Sequence, residues 1–488
     1  MAAPPVILAL DQGSSSTRCI AYDPRLRRVA TASSRVETSR PGPGMVEHDP
    51  DALLAGALSA LAEVRDACGG EVAGVGIADQ TETFVLWERG SGRAVTPLIS
   101  WQDQRAEELC RTLASDPAAA RIAAVTGLAL DPTFSAPKLA WLFGRDPALL
   151  ARAESGELAF GDVACWLAWH LSGGAVHVAE PSNACRSLLL DIGSMAWDEG
   201  LLDLFGVPAA LLPQVRDSDG PALATAAEAA GFEAPVAAML GDQQSALYGQ
   251  GCTAPRMAAL TLGTGAFVWM NAGGERPAPP AGVLATVAWQ TAREGRTYAL
   301  EAFGANAGNA LAVLRGSGLV DADWRTRAPD WRRPHPVVVP APAGLGTPHW
   351  HGADRVTVLG ATSATTAEDL AAAWVAGVAH QVADALAAQE SSGGIDTLRV
   401  GGGLAADREL LQAVADLSGR VLEVAADLEA TARGIAALAA ASAGVRDPDA
   451  AGHSVAHRVE PALDAAGRQR ERARWREALE VHMRPEAG

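Results

Sequence analysis

The stretch "MLGDQQSALYGQ" (residues 239–250) ends an apolar run with a carboxylate and two amides, and places Asp242 where a strand meets a helix. A side chain there faces the crevice at the carboxyl ends of parallel strands. The same position suits an aspartate that caps the helix, and both roles can hold at once. Near the N-terminus "LALDQGSSSTRC" offers backbone amides, the hydroxyls of Ser14, Ser15 and Ser16, and the cation of Arg18 in one tight turn. Such a turn suits phosphate oxygens, although glycine and serine also make ordinary β-turns. Asp11, at the end of the preceding strand, is of the type that holds a hydrated magnesium ion. A second glycine–hydroxyl turn, "LTLGTGAF", carries Gly263 and Thr264. A third, "LRVGGGLAAD", carries Gly402 and Gly403 between a strand and a helix, where a ligand can approach the backbone closely. Neither the GxxxxGK loop nor the GxGxxG fingerprint is present at these turns, which disfavours both common nucleotide folds. His349 and His351 have the spacing of a metal pair on one strand face, with no third ligand in sight.

The elements that must position these residues alternate in type. Strands are predicted at 6–12, 17–23 and 27–37, a helix at 50–67 and a strand at 71–79. Helical segments dominate from about 102 to 172, and a strand at 236–240 leads into Asp242. Strands then cover 257–262, 267–271 and shorter segments to about 300. Helices follow at 306–315 and 366–388, the latter opening on a Thr365-x-x-Glu368 capping box. A strand at 397–401, a helix at 405–419, a strand at 420–425 and an alanine-rich helix at 429–443 close the pattern. Each half thus begins with a hairpin whose turn pairs glycine with a hydroxyl residue. We read two related α/β domains facing each other across a cleft, 1–250 and 251–488, with a charged amphipathic helix after about 451.

A chain of 488 residues buries two or three domain cores. A net charge of −18 argues against nucleic acid or an anionic membrane as partner. The six cysteines are scattered without a CxxC, as in reduced cytosolic chains. The N-terminal apolar run is too short for a signal peptide, and no apolar run of membrane-spanning length stands out. A cytoplasmic location is expected, and a homo-oligomer is left open.

Several long segments in order, "DQGSSSTR", "GIADQTETFVLW", "ISWQDQR", "DPTFSAPKLAWL", "GDQQSALYGQ", "LGTGAFVWMN", "GLGTPHW" and "RVGGGLAAD", resemble the FGGY carbohydrate kinases. Within that family the motifs are most similar to those of the glycerol kinases. The resemblance covers about residues 6–445 and implies two actin-like, ribonuclease-H-type domains that close over a polyol or sugar and Mg-ATP. It implies Asp242 as catalytic base and Gln243 beside it on the substrate. Glu82, Trp101, Asp103 and Phe267 would line the polyol pocket, with Thr81 and Thr133 at two further substrate positions. Ser14, Ser15, Ser16, Arg18, Gly263 and Thr264 would face the phosphates, and Gly308, Gly402, Gly403 and Asp407 would frame the nucleotide. Asp11 and Asp242 would hold the metal. The family's glycerol kinases carry arginine at position 81 and tyrosine at 133, so the pocket is expected to admit something longer than glycerol, such as a tetritol, a pentitol or a ketopentose. Asp407 and Ala312 replace an asparagine and a glutamine near the nucleotide. A non-metabolic actin-like ATPase shares the phosphate turns but needs no polyol pocket. Lys138, inside "FSAPKLAWL", is the only lysine in the chain.

Overall fold

The computed structural model describes residues 4–220, 225, 227–321, 324–331, 333–390, 393–427, 429–446 and 453–484. Two mixed sheets organise it. In the five-stranded sheet the order is Val236–Gly241, Val72–Asp79, Val6–Gln12, Ser16–Tyr22, Arg28–Arg35. The first three strands are parallel, and the last two continue as an antiparallel meander. The seven-stranded sheet runs Leu284–Thr291, Gly295–Gly304, Ala266–Gly273, Met257–Leu262, Thr397–Gly401, Leu422–Ala425, Val455–Val459. Its core repeats the first sheet's plan: a hairpin strand pair, a third antiparallel strand, then two parallel strands on the other side of the first. The two halves are therefore built on one topology, as the paired glycine–hydroxyl turns suggest.

The strands of the first sheet read as near-continuous apolar runs because both faces are covered. Helix Pro50–Cys68 and its neighbours cover one face, burying Leu53, Ala57, Leu61 and Val64 against Leu8, Leu10 and Ile77. The other face is covered by helix Ala430–Ser442, whose Ile435, Ala436 and Ala439 pack on Ile7, Ala9, Ala78 and Leu240. The last core helix of the C-terminal half thus lies on the N-terminal sheet. It also crosses helix Asp242–Gly249 in backbone contact: a methyl on Gly434 would lie 1.8 Å from the Ser245 carbonyl oxygen, and one on Gly249 2.0 Å from that of Ala430.

Helical segments dominate 102–172 as expected, interrupted by buried Leu158–Asp162, a strand beside Phe84–Glu88 in a separate four-stranded sheet. Other local expectations are corrected. The long helix runs Ala367–Glu390, and its capping box is shifted by one residue. Thr366 and Asp369 exchange backbone-to-side-chain bonds of 2.9 and 3.2 Å, while Thr365 accepts from Thr362. This helix is also long and apolar enough to cross a bilayer, and most of it is buried in the protein core. Alanine supplies that hydropathy, so no obvious apolar run marks it in the sequence. The charged C-terminal helix spans Ala465–His482, docked through Trp475 and Leu479 on the Val337–Ala341 strand. It starts at Ala465 and not near 451: residues 451 and 452 lie outside the described ones, and Val455–Val459 forms a strand on the edge of the seven-stranded sheet.

Candidate active site

Register places the chemistry. Gln12 pairs with Asp79, and Asp79 with Gly241, so Asp11, Gln80 and Asp242 stand at the carboxyl ends of three adjacent parallel strands. Asp11 lies opposite Arg18 across the first hairpin. Gly241 N–H is anchored by Ser182 Oγ at 2.8 Å, and Ser182 in turn by buried Glu180. Asp242 is the first helical residue after the Gly241 cap position, so it is not the helix cap. Its Oδ1 accepts from Gln243 N–H at 2.7 Å, and the Gln243 side chain also bonds the carboxylate. Burial, then the charges of Asp11 and Glu82, push Asp242 up to about 7. Burial pushes Asp11 up to about 6, opposed by Arg18 and assisted by Glu429.

The expected phosphate residues divide between the two hairpins. The first turn closes through Gly13 N–H to the Ser16 carbonyl at 3.0 Å, leaving Ser14 and Ser16 half-buried and Ser15 exposed. Arg18 makes an ion pair with Glu429, which reaches across from the other half of the chain. In the second turn the carbonyl of Gly263 accepts from Gly308 N–H at 2.9 Å, and that of Thr264 from Ala307 and Asn309. A methyl on Gly308 would sit 2.7 Å from that Gly263 oxygen, so only glycine brings the Gly308–Gly316 helix this close. Gly402, at φ +89°, abuts the Leu262 carbonyl, which joins the third turn to the second. Gly403 is exposed beside it. Asp407 is the N-cap of helix Arg408–Ser418, accepting from Leu410 N–H at 3.1 Å.

The polyol-pocket residues form a denser network. Glu82 is buried in the left-handed region at φ +64°, a strained position for a side chain of this kind. Thr81 Oγ donates to Glu82 Oε2 at 2.6 Å, and Arg186 Nε to Oε1 at 2.6 Å. Arg186 also donates to buried Glu301 at 2.6 Å, and those two carboxylates hold its cation above the usual range despite burial. Gln243 Oε1 is buried with no protein partner. Phe267, half-buried, packs on Phe303 at 4.8 Å between centroids. Trp101 and Thr133 are half-buried, and Trp101 N–H donates to Thr83 at 3.0 Å. Asp103 differs from the expectation. Its carboxylate accepts from Val46 N–H at 2.6 Å, Arg105 N–H at 3.0 Å, and Arg105 Nε and Nη2 at 2.8 Å. Those donors fill the acceptor positions of a carboxylate, so Asp103 anchors the wall and offers nothing to a ligand.

His349 does not pair with His351 around a metal: it bonds Asp384 at 3.1 Å, which Arg472 and Trp475 also hold. Among the described residues no group of three or more His, Cys, Asp or Glu is arranged as a metal cage. Glu429, Arg186 and Glu301 were missed from the sequence. Glu429 opens an alanine-rich helix far from the first hairpin, and Arg186 sits in "NACRS"; nothing local marks either.

Residues 6–249 match the N-terminal domain of the FGGY family of carbohydrate kinases, and residues 258–443 match its C-terminal domain. The chain belongs to this family, and it is a kinase that takes an alcohol group as acceptor. More particularly, it is 41% identical to a glycerol kinase of Citrifermentans bemidjiense, with 98% of both chains covered. The crystal structure of Plasmodium falciparum glycerol kinase with ADP superposes with a TM-score of 0.92 at 26% identity, covering 99% of both chains. A xylulose kinase from Rhodospirillum rubrum shares the fold at a TM-score of 0.85 and 20% identity, with 98% of both chains covered.

Proposed function

We propose that this kinase transfers the γ-phosphate of ATP to a primary hydroxyl of glycerol, in the cytoplasm. The observation that carries the reading is Asp242: a carboxylate at the strand ends, raised to about 7 and bonded by its neighbour Gln243, whose buried side-chain oxygen has no partner among the described residues. The extent of the likeness to glycerol kinases supports the choice of glycerol. An ordinary aspartate, near pKa 3.9, is a weak base toward an alcohol. Burial beside Asp11 and Glu82 makes Asp242 a stronger one. Asp242 accepts the hydroxyl proton as that oxygen attacks the γ-phosphorus. Gln243 and Glu82 orient the polyol through its other hydroxyls, and Trp101 and Phe267 shape the apolar sides. Arg18 releases Glu429 and turns its charge to the phosphates, while the 263–264 and 402–403 turns hold the nucleotide.

Mg2+ fits this site. Asp11 and Asp242 are hard oxygen donors; burial raises the proton affinity of both, and the charges of Asp11 and Glu82 add to it at Asp242, so a cation between them would offset that cost. When bound, the ion supplies charge neutralisation for the phosphate chain.

A longer polyol is the second reading. Thr81 stands where an arginine is expected, and its hydroxyl is already given to Glu82. A coupled ADP-release assay across glycerol, erythritol, pentitols and pentuloses tests both. Glycerol with the highest kcat/KM supports the first reading. A tetritol or pentitol in that place selects the second, and ATP turnover indifferent to every alcohol removes both.

A further inference from the structure

Lys138 lies in the first turn of helix Ser135–Arg145 and is fully buried. Its Nζ donates to the Thr133 carbonyl at 2.6 Å and to the Ser100 carbonyl at 2.9 Å. Ser100 immediately precedes Trp101, so the two carbonyls belong to the two loops that carry Trp101 and Thr133. The ammonium also sits 6.0 Å from the centre of the Phe84 ring. The charged groups that face it are Glu82, Asp103 and Asp131, with the Arg105 cation opposing them. Burial, partly offset by Glu82 and Asp103, draws its pKa down to about 7.

A buried ammonium is an expensive way to fill space, since an apolar side chain of equal length packs as well without desolvation. What an apolar chain lacks is the tie between two loop carbonyls that have no common strand or helix. We propose that Lys138 is a positioning residue of the acceptor pocket, its two hydrogen bonds setting the separation between the wall that carries Trp101 and the wall that carries Thr133. The inference rests on the polyol reading above. Lys138 is enclosed and does not touch the substrate. The nucleotide turns at 263–264 and 402–403 lie in the other half of the chain and do not depend on it.

The test is steady-state kinetics with glycerol and ATP on the full chain. Lys138→Met keeps the length and loses both bonds. It should raise the glycerol KM at least about tenfold and leave the ATP KM within about twofold. Lys138→Arg, which keeps charge and donors in a bulkier planar fork, should restore part of the glycerol affinity. The unmodified protein supplies a reading that needs no variant. As pH rises from 6 to 8.5 the ammonium loses its charge, its bonds become neutral ones of about half the strength, and the glycerol KM should rise about threefold without a matching rise for ATP. A folded Lys138→Met protein with the native glycerol KM overturns the proposal, as does a change in both KM values together or a flat pH profile in the unmodified chain. If the unmodified protein phosphorylates neither glycerol nor any other polyol, the functional reading itself falls and takes this inference with it.

Discussion

Asp242 is held near neutrality by its surroundings, which fixes two consequences of removing it. Asp242→Asn keeps the shape and loses the proton acceptor, so kcat should fall by about 10²–10⁴-fold while ADP affinity persists. A raised carboxylate binds a proton more tightly in the folded chain than in the unfolded one. Its favourable contribution is present below its unfolded pKa and is lost as pH rises through about 7. Metal-free Asp242→Asn should therefore melt higher than the parent at pH 8, by on the order of 2 kcal/mol, and about equally at pH 4. The parent's kcat/KM should decline as pH falls below about 7, the base becoming protonated. A melting difference that is the same at both pH values would show that burial of the charge is not the cause. Substrate choice belongs to this scale too. Thr81→Arg with Thr133→Tyr should shift relative kcat/KM toward glycerol and away from erythritol and xylitol, because a guanidinium and a phenol fill space and donate to glycerol hydroxyls. Unchanged ratios would remove both threonines from the specificity argument.

Among the elements, the hairpins and the Asp242 helix were legible because turn chemistry and apolar periodicity are local signals. "GSSST" and "LGTG" announce turns, and "VAAML" announces a buried strand. The partners that complete the site were not legible, because packing brings them in from elsewhere. Glu429 reaches Arg18 across more than four hundred residues of chain, and Arg186 arrives from a short helical turn to bond one oxygen of Glu82. Asp103 reads as a ligand in its motif, and only the placement of Arg105 and Val46 reveals that it is spent on the wall. The capping box slipped by a residue because Thr365 and Thr366 are both competent caps and only the helix start decides between them. The Arg18–Glu429 pair makes a prediction for the hairpin element. Arg18→Ala should slow phosphoryl transfer at least about tenfold with the glycerol KM nearly unchanged, since the charge acts on phosphate. A rise in the glycerol KM at constant kcat would move Arg18 to the acceptor side.

At the scale of the molecule, the sequence reading divides the chain at residue 250, and the family's two domain matches meet between 249 and 258. Packing does not divide there. Helix Ala430–Ser442 closes one face of the N-terminal sheet, with Ile435 fully buried and its carbonyl 2.9 Å from where a methyl on Gly76 would be. It also touches the backbone of the helix that Asp242 begins. This crossing packs the Asp242–Gly249 helix against an element from the other half of the chain. A fragment of residues 1–250 would expose Ile7, Ala9, Ala78 and Leu240 and lose the cover of Ile435 and Leu438. Each large aliphatic side chain so uncovered costs about 1.5–3 kcal/mol, a sizeable share of a typical domain's 5–15 kcal/mol. The isolated fragment should therefore bind a hydrophobic dye and melt without cooperativity, whereas the intact chain melts sharply. Gly434→Val makes the same point within the whole protein. Its side chain meets the Ser245 carbonyl, so it should drive the two helices apart, lower the melting temperature and reduce kcat together. A 1–250 fragment that unfolds in a single sharp transition would show that the crossing helix is an ornament on a self-sufficient domain, and Gly434→Val would then be expected to lower stability while leaving turnover intact.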